Sequence, residues 1–343
     1  MKLLPGPKVY LVSRPVVDWE QVSAFLNDED LPPIPDSIRA GAADSNAIIE
    51  ISARLCYMSY GRGRKDIADF INNLLSSKDG SVFEHVNYGF VFTGVSRSLT
   101  HELVRHRAGF AYSQRSQRYV DETGSPFVIP PALLRDTEDS DEATTIIKKA
   151  LEAASVAYSE LVAALDKSLP REWFSSNRDR RKAVRQAARA VLPNATETKI
   201  FVTGNVRSWR HFIEMRAASF ADWEIRSLAL AVLEILQQES PLLFGDFTVE
   251  ELSLDPQRVS AAKKVRITFG AIDGYPKVWL NGKLLAERDD NVANVWDKPL
   301  SVDVTGVIKA DGINQLAVSC TKKSDAAGIH AGKDEQPVRL VVE

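Results

Sequence analysis

Cysteine is scarce in this chain of 343 residues: only Cys56 and Cys320 occur, far apart and outside any CxxC pair. That argues against a disulfide framework or a cysteine-based zinc site and fits a reducing compartment. An excess of positive charge is also missing, with 43 Lys and Arg against 46 Asp and Glu and a pI near 6.1. An overall basic field for holding nucleic acid non-specifically is therefore absent. No apolar run is long enough for a bilayer: LALAVLEILQQ is interrupted by Glu234 and falls short of the roughly 20 residues a span needs. The opening MKLLPGPKVYLVSRP has one early Lys and an apolar run broken by prolines, so it does not read as a signal peptide. The expectation is a cytoplasmic protein with no nucleic-acid or membrane partner.

What is present is an ordinary globular composition, 44% hydrophobic and 26% charged, with length enough for two domains. Residues 46–60 space Ile48, Ile51, Leu55 and Met58 at helical intervals, and DIADFINNLLSS reads as a second helix after the loop GRGRK. VNYGFVFTGVS alternates like a strand, and SRSLTHELVRHR turns helical, with Val95, Leu99 and Leu103 on one stripe. A long helix over 143–168 buries Ile147, Leu151, Ala154, Tyr158, Leu161 and Leu165, and Pro170 ends it. Helices over 178–191, 208–215 and 222–238 follow, the last stopped at Ser240 by a proline. Beyond Asp255-Pro256 only short alternating runs remain, and Asn281-Gly282 marks a hairpin because both residues accept positive φ. The fold class is α+β: an α/β domain over 1–255, then a small all-β sandwich over 258–343.

The chemistry concentrates in HELVRHRAGFAYSQRSQRY, residues 101–119. A zinc helix needs histidines four apart; His101 and His106 are five apart, roughly 140° around a helix. Arginine, by contrast, suits bidentate recognition of phosphate and carbonyl oxygens. Arg105, Arg107, Ser116 and Arg118 could form such an anion site, or merely a solvated basic loop. A second cluster, NVRSWRHFIEMRAASFADWEIR, supplies Arg207, Arg210, His211, Arg216 and Arg226, with Phe212 and Met215 turned inward. Arginines carried to a core edge need partners, since an unpaired buried cation is costly. The run Arg178–Lys182, with Asp interleaved, reads as a solvated face.

These motifs in this order resemble the flavin-dependent thymidylate synthases over roughly residues 45–245: ARLCYMS at 53–59, GSVFEH at 80–85, SRSLTHELVRHRAGFAYSQRSQRYV at 96–120, ARAVLPNATET at 188–198 and the NVRSWRHFIEMRA…EIR block. The resemblance implies a homotetramer with shared active sites. It implies FAD reduced by NADPH, and a carbon unit passed from methylenetetrahydrofolate to C5 of dUMP without an obligatory cysteine nucleophile. By motif position it implies flavin contacts from Ser81, Glu84, Arg105, His106, Arg107, Asn205, Arg207 and His211. Glu102, Gln114, Ser116, Arg118 and Arg189 correspond to the nucleotide pocket. Arg216, with Ser116 the catalytic pair, corresponds to the group facing the uracil carbonyls; no metal is implied.

The chain departs from the family pattern in several places. Eight residues, not seven, separate Arg107 from Ser116, and Arg115 stands where an apolar residue is common, an extra charge for the pocket. Lys78-Asp79 replaces Gly-His, and Phe220 replaces a common His, both expected to touch the flavin site. Residues 258–343 resemble part of a galactose-binding-like β-sandwich. Either loops holding Trp296, Asp297 and His330 bind a glycan or protein, or the module is structural with Trp279 and Trp296 in its core; the second reading is favoured. Two alternatives to thymidylate synthesis remain: a relative alkylating another uridine nucleotide at C5, or a silent domain carrying a binding module.

Overall fold

The computed structural model describes residues 1–34, 43–134 and 140–251. Farther on it describes 260–263, 265–269, 271–273, 275–287, 300–304, 315–321, 328–330 and 338–342. In chain order the elements begin with β1 (Leu3–Leu4), β2 (Lys8–Ser13), α1 (Trp19–Asp28), α2 (Asp44–Tyr57), α3 (Ile67–Ser77) and β3 (Asn87–Ser96). Next come α4 (Arg97–Leu103), β4 (Phe110–Gln114), β5 (Phe127–Val128), α5 (Ser140–Ser168), α6 (Asn177–Ala188) and β6 (Glu197–Asn205). Then follow α7 (Val206–Arg216), α8 (Trp223–Glu239), α9 (Pro241–Phe244), β7 (Thr248–Glu251) and β8 (Ser260–Lys263). The C-terminal strands are β9 (Val265–Phe269), β10 (Ala271–Asp273), β11 (Tyr275–Leu280), β12 (Lys283–Glu287), β13 (Leu300–Asp303), β14 (Leu316–Thr321), β15 (Gly328–His330) and β16 (Val338–Val342). Helices and strands in this mixture make an α+β protein, and from β7 onward every described element is a strand.

The chain divides into two compact units, one holding Met1–Pro15 and Asn87–Val232, the other Val16–Val86, Leu233–Glu251 and the strands from Ser260. In the first, a sheet of order β2-β3-β6-β4 pairs antiparallel throughout. Alternation puts Phe90, Phe92, Ile200 and Val202 on one face, fully or almost fully buried. Trp209 of α7 meets that face edge-on, with ring centroids 5.1 Å from Phe90 and 4.8 Å from Phe110. The opposite face carries a cross-strand row of Tyr10, Val91, Phe201 and Ser113, of which Tyr10 is 49% and Phe201 38% exposed.

Helix ends follow local chemistry. Ser96 caps α4, its Oγ accepting from Leu99 N–H at 3.0 Å, and Glu224 holds Ser96 in turn, at 2.7 Å from its N–H and 2.6 Å from its hydroxyl. The stripe expected for α5 is on its inner side, with Leu151 and Tyr158 buried. Two expectations fail. Val95, fully buried like Leu99 and Leu103, belongs to β3 and not to the helix, because the strand runs on to Ser96 and straight into the capped helix, and Met215 is 40% exposed at the last turn of α7.

In the second unit Asp18 caps α1, accepting from the N–H groups of Glu20 and Gln21, and Leu26, Ile34, Ala47 and Tyr60 form an apolar cluster. Farther along, the sheets β12-β11-β14 and β13-β9-β16 share one core of Phe269, Val278, Leu280, Val302 and Val304. Asn281 and Gly282, at φ 53° and 82°, make the expected β11–β12 turn. Trp279 is not in that core: alternation places it opposite Val278 and Leu280, half-buried. Trp296 and Asp297 lie outside the described residues, and His330 ends β15 opposite Ala271.

Candidate active site

The helix that starts at Arg97 stops at Leu103, earlier than the sequence period suggested, so Arg105, His106 and Arg107 leave on a turn. Turn bonds from Arg105 N–H to Glu102 O and from His106 N–H to Leu103 O, each 3.1 Å, fix its path. Tyr112 of β4 sits beneath, its hydroxyl 2.6 Å from the His106 carbonyl and 3.0 Å from that of Leu103. Burial pushes its phenol well above the ordinary range, so it remains a donor. Gly109, at φ 71°, reverses the chain into β4 where a Cβ would strike Ser208 and Asn205.

Here the two arginine-rich segments meet. Arg216, in the last turn of α7, donates from Nε to His106 Nε2 at 2.9 Å and from Nη1 to Glu102 at 3.2 Å. His106 is held neutral, its pKa lowered to about 4 by burial, then by the Arg216 charge and His211. The bond from Arg216 makes Nε2 the acceptor and leaves the ring proton on Nδ1. The imidazole packs edge-on against Phe212 at 5.3 Å and near His211 at 6.1 Å. Arg105 and Arg107, which flank His106 in the chain, and Arg207 of α7 are exposed, and Arg105 bonds to His101 at 3.2 Å. The two histidines of the supposed zinc motif thus face different partners.

The strand leaving this turn forms a second cluster. Gln114 donates to Thr100 at 2.9 Å, and the Ser116 hydroxyl accepts from Arg118 N–H at 3.3 Å. Arg118 lies 5.7 Å from the Tyr119 ring, and its Nε is buried with no partner among the described residues. The Nη1 of Arg97 is buried in the same condition, and burial lowers the pKa of its guanidinium while Glu122 opposes the shift. Arg189 and Arg115 also repel that charge. Buried cations with orphan N–H groups are what an anion would satisfy. Arg97 escaped the sequence reading, although a cation at the first residue of a helix, against its dipole, was a usable signal.

Not every expected residue joins these clusters. Ser81 and Glu84 stand exposed on the 3₁₀ turn Gly80–His85, in the second unit. Asn205 is occupied with α7, its side chain accepting from Ser208 N–H at 2.9 Å. Arg115 adds no charge to the nucleotide side; it turns inward to Glu122, with Glu197 at 3.8 Å, because two buried carboxylates await it. Within the longer segment before Ser116, Phe110–Gln114 pairs with β6 without a register shift. Phe220 is 76% exposed, and Asp79 accepts from the Ser77 hydroxyl. The run 178–182 is not wholly solvated: Arg180 is buried on Asp166 and the Leu169 carbonyl. Arg226, buried in the first turn of α8, binds the carbonyls of Ser219 and Ala221.

A family model described as thymidylate synthase complementing protein matches residues 40–242, which contain every element just named. The chain belongs to this family. Its curated relatives include a flavin-dependent thymidylate synthase of Mycobacterium leprae, 42% identical over 238 residues that span 68% of this chain and 92% of the relative. Proteins of the same name from Mycobacteroides abscessus and Mycobacterium avium are 46% and 44% identical, covering 60% and 67% of this chain and 81% and 88% of their own lengths. Family membership accounts for a site built from two separated arginine blocks. Among the described residues no helix is long and apolar enough to cross a membrane.

Proposed function

We propose that this chain is a flavin-dependent thymidylate synthase, converting dUMP to dTMP with methylenetetrahydrofolate as carbon donor and NADPH as reductant, in the cytoplasm. The observation that carries it is Arg216, held between neutral His106 and Glu102 where the two arginine-rich segments meet. The donor set fits FAD: an aromatic edge of His106, His211 and Phe212 for a flat ring, with exposed Arg105, Arg107 and Arg207 for a pyrophosphate. When bound, FAD supplies hydride chemistry that no side chain offers. Ser81 and Glu84 complete the cofactor set in this reading, and Asn205 serves it indirectly by capping α7.

The nucleotide phosphate is assigned to Ser116, Arg118 and Arg189, and the pyrimidine to Gln114, Glu102 and Arg216. Arg216 keeps N–H groups beyond those given to His106 and Glu102; aimed at a uracil carbonyl, they would stabilise charge as C5 becomes nucleophilic. We assign residues 1–255 to catalysis and 258–343 to a galactose-binding-like module with a glycan or protein ligand. A homotetramer is supported by the apolar row Tyr10, Val91 and Phe201 on the uncovered sheet face.

The test is anaerobic product analysis by mass spectrometry, with FAD, NADPH, methylenetetrahydrofolate and either dUMP or UMP. Methylated product from dUMP is expected. Product from UMP alone would point to another uridine nucleotide, and a chain that neither binds flavin nor makes product would sink the synthase assignment. Arg216→Ala should lower turnover about 100- to 1000-fold, the usual loss for such a donor, without lowering the melting temperature appreciably.

A further inference from the structure

Helix α2 ends in a feature that the proposed chemistry does not use. Arg54 is 6% exposed, and its guanidinium ties the preceding turn of the helix to the chain that follows. Nε meets Glu50 at 2.6 Å, Nη1 reaches the carbonyls of Ser59 and Arg62 at 3.0 and 2.7 Å, and Nη2 that of Arg64 at 2.7 Å. The Phe70 ring closes over it at 4.8 Å. Burying an ion pair is costly, and burial indeed raises the pKa of Glu50 despite Arg54.

The anchored loop, GRGRK, draws three of its neighbouring carbonyls inward and leaves Arg62, Arg64 and Lys65 exposed. Gly61 and Gly63, at φ 71° and 73°, make the turns, and Gly61 is pressed against Pro32. None of the three cations forms an ion pair with a described residue. They rim a cavity of about 240 Å³ whose other walls are Pro33, Ile34, Tyr60 and Arg54. The carboxylate next in the chain, Asp66, is engaged in capping α3 through Asp69 N–H at 2.9 Å. A fixed cationic rim over an apolar wall is suited to a ring that carries an anion.

We propose that this cavity binds the charged end of a co-substrate, an aromatic or heteroaromatic group bearing carboxylates or a phosphate. The proposal rests on the synthase reading, which supplies two such ends: the benzoylglutamate tail of the folate and the adenosine 2′-phosphate of NADPH. Both place a flat ring next to a polyanion. Helix α2, which carries Arg54, also packs against the 3₁₀ turn bearing Ser81 and Glu84, so one element supports this cavity and part of the assigned cofactor set.

Calorimetry on the full chain tests it with three probes: 4-aminobenzoylglutamate, its triglutamate form and adenosine 2′,5′-bisphosphate. Binding of the benzoyl probes, tighter with added glutamates, assigns the folate tail; binding of the bisphosphate assigns NADPH. The triple variant Arg62→Gln, Arg64→Gln, Lys65→Gln should weaken whichever probe binds by about tenfold or more, as loss of charge-assisted bonds requires. Higher salt should weaken it as well. If no probe binds the wild-type chain at millimolar concentration, or the triple variant binds equally well, the proposal is overturned. The titration needs no turnover, so an absence of dTMP would count against the synthase reading and not against this cavity.

Discussion

The residue that organises the site is an imidazole that stays uncharged. A free histidine titrates near 6.5 and His106 near 4, so between those values the unfolded chain binds a proton the folded one refuses. The folded state must therefore lose stability as pH falls through that window, and the loss is complete below about 4. Urea unfolding at pH 7 and pH 5 should show a larger loss for wild type than for His106→Gln; equal losses would remove His106 as the cause. The Arg115–Glu122 pair makes a second prediction. Glu122 is 3% exposed and also accepts from the Ser125 hydroxyl at 2.5 Å. Glu122→Ala would leave Arg115 only the longer contact to Glu197 and should cost somewhat less than the about 3–5 kcal/mol of a fully broken buried pair in urea unfolding. An unchanged midpoint would mean that the pair contributes nothing.

At the scale of elements, the turn between α4 and β4 depends on a small residue and a cap. Gly109→Ala would force a Cβ at positive φ into Ser208 and Asn205, so a loss of about 2 kcal/mol is expected. Asn205→Ala, removing the cap of α7, should cost about 1 kcal/mol. Denaturant midpoints of the two variants check this order. The sequence made β3, α5 and the Asn281-Gly282 hairpin legible because period and turn chemistry are local signals. It also identified both arginine blocks by motif. It did not reveal that α4 stops at Leu103, because the apolar period continues and the tertiary bond from Tyr112 decides the matter. Nor could it tell that Arg115 turns inward, since Glu122 and Glu197 arrive from different segments. The structural reading of the C-terminal module put Trp279 in its core, whereas its place in the strand alternation puts it on the other face from Val278 and Leu280.

For the whole molecule, the uncovered sheet face leads to a prediction about assembly. Phe201→Arg, in the middle of the row shared with Tyr10 and Val91, should dissociate the proposed tetramer in sedimentation analysis while the monomer remains folded. A tetramer that survives would place the interface elsewhere. The pairing of β3 with β6 has a consequence of another kind, in time. β3 ends at Ser96 and β6 at Asn205, and Arg216 meets Glu102 across 114 residues of chain. On a ribosome moving at about 5–20 residues per second, β3 waits roughly 5 to 20 s for its partner. Throughout that interval one long edge of β3, rich in Phe and Val, has no strand beside it, which is the condition under which edges stick to other chains. The yield of this protein should therefore depend on synthesis rate and on holdase chaperones more than its final stability suggests.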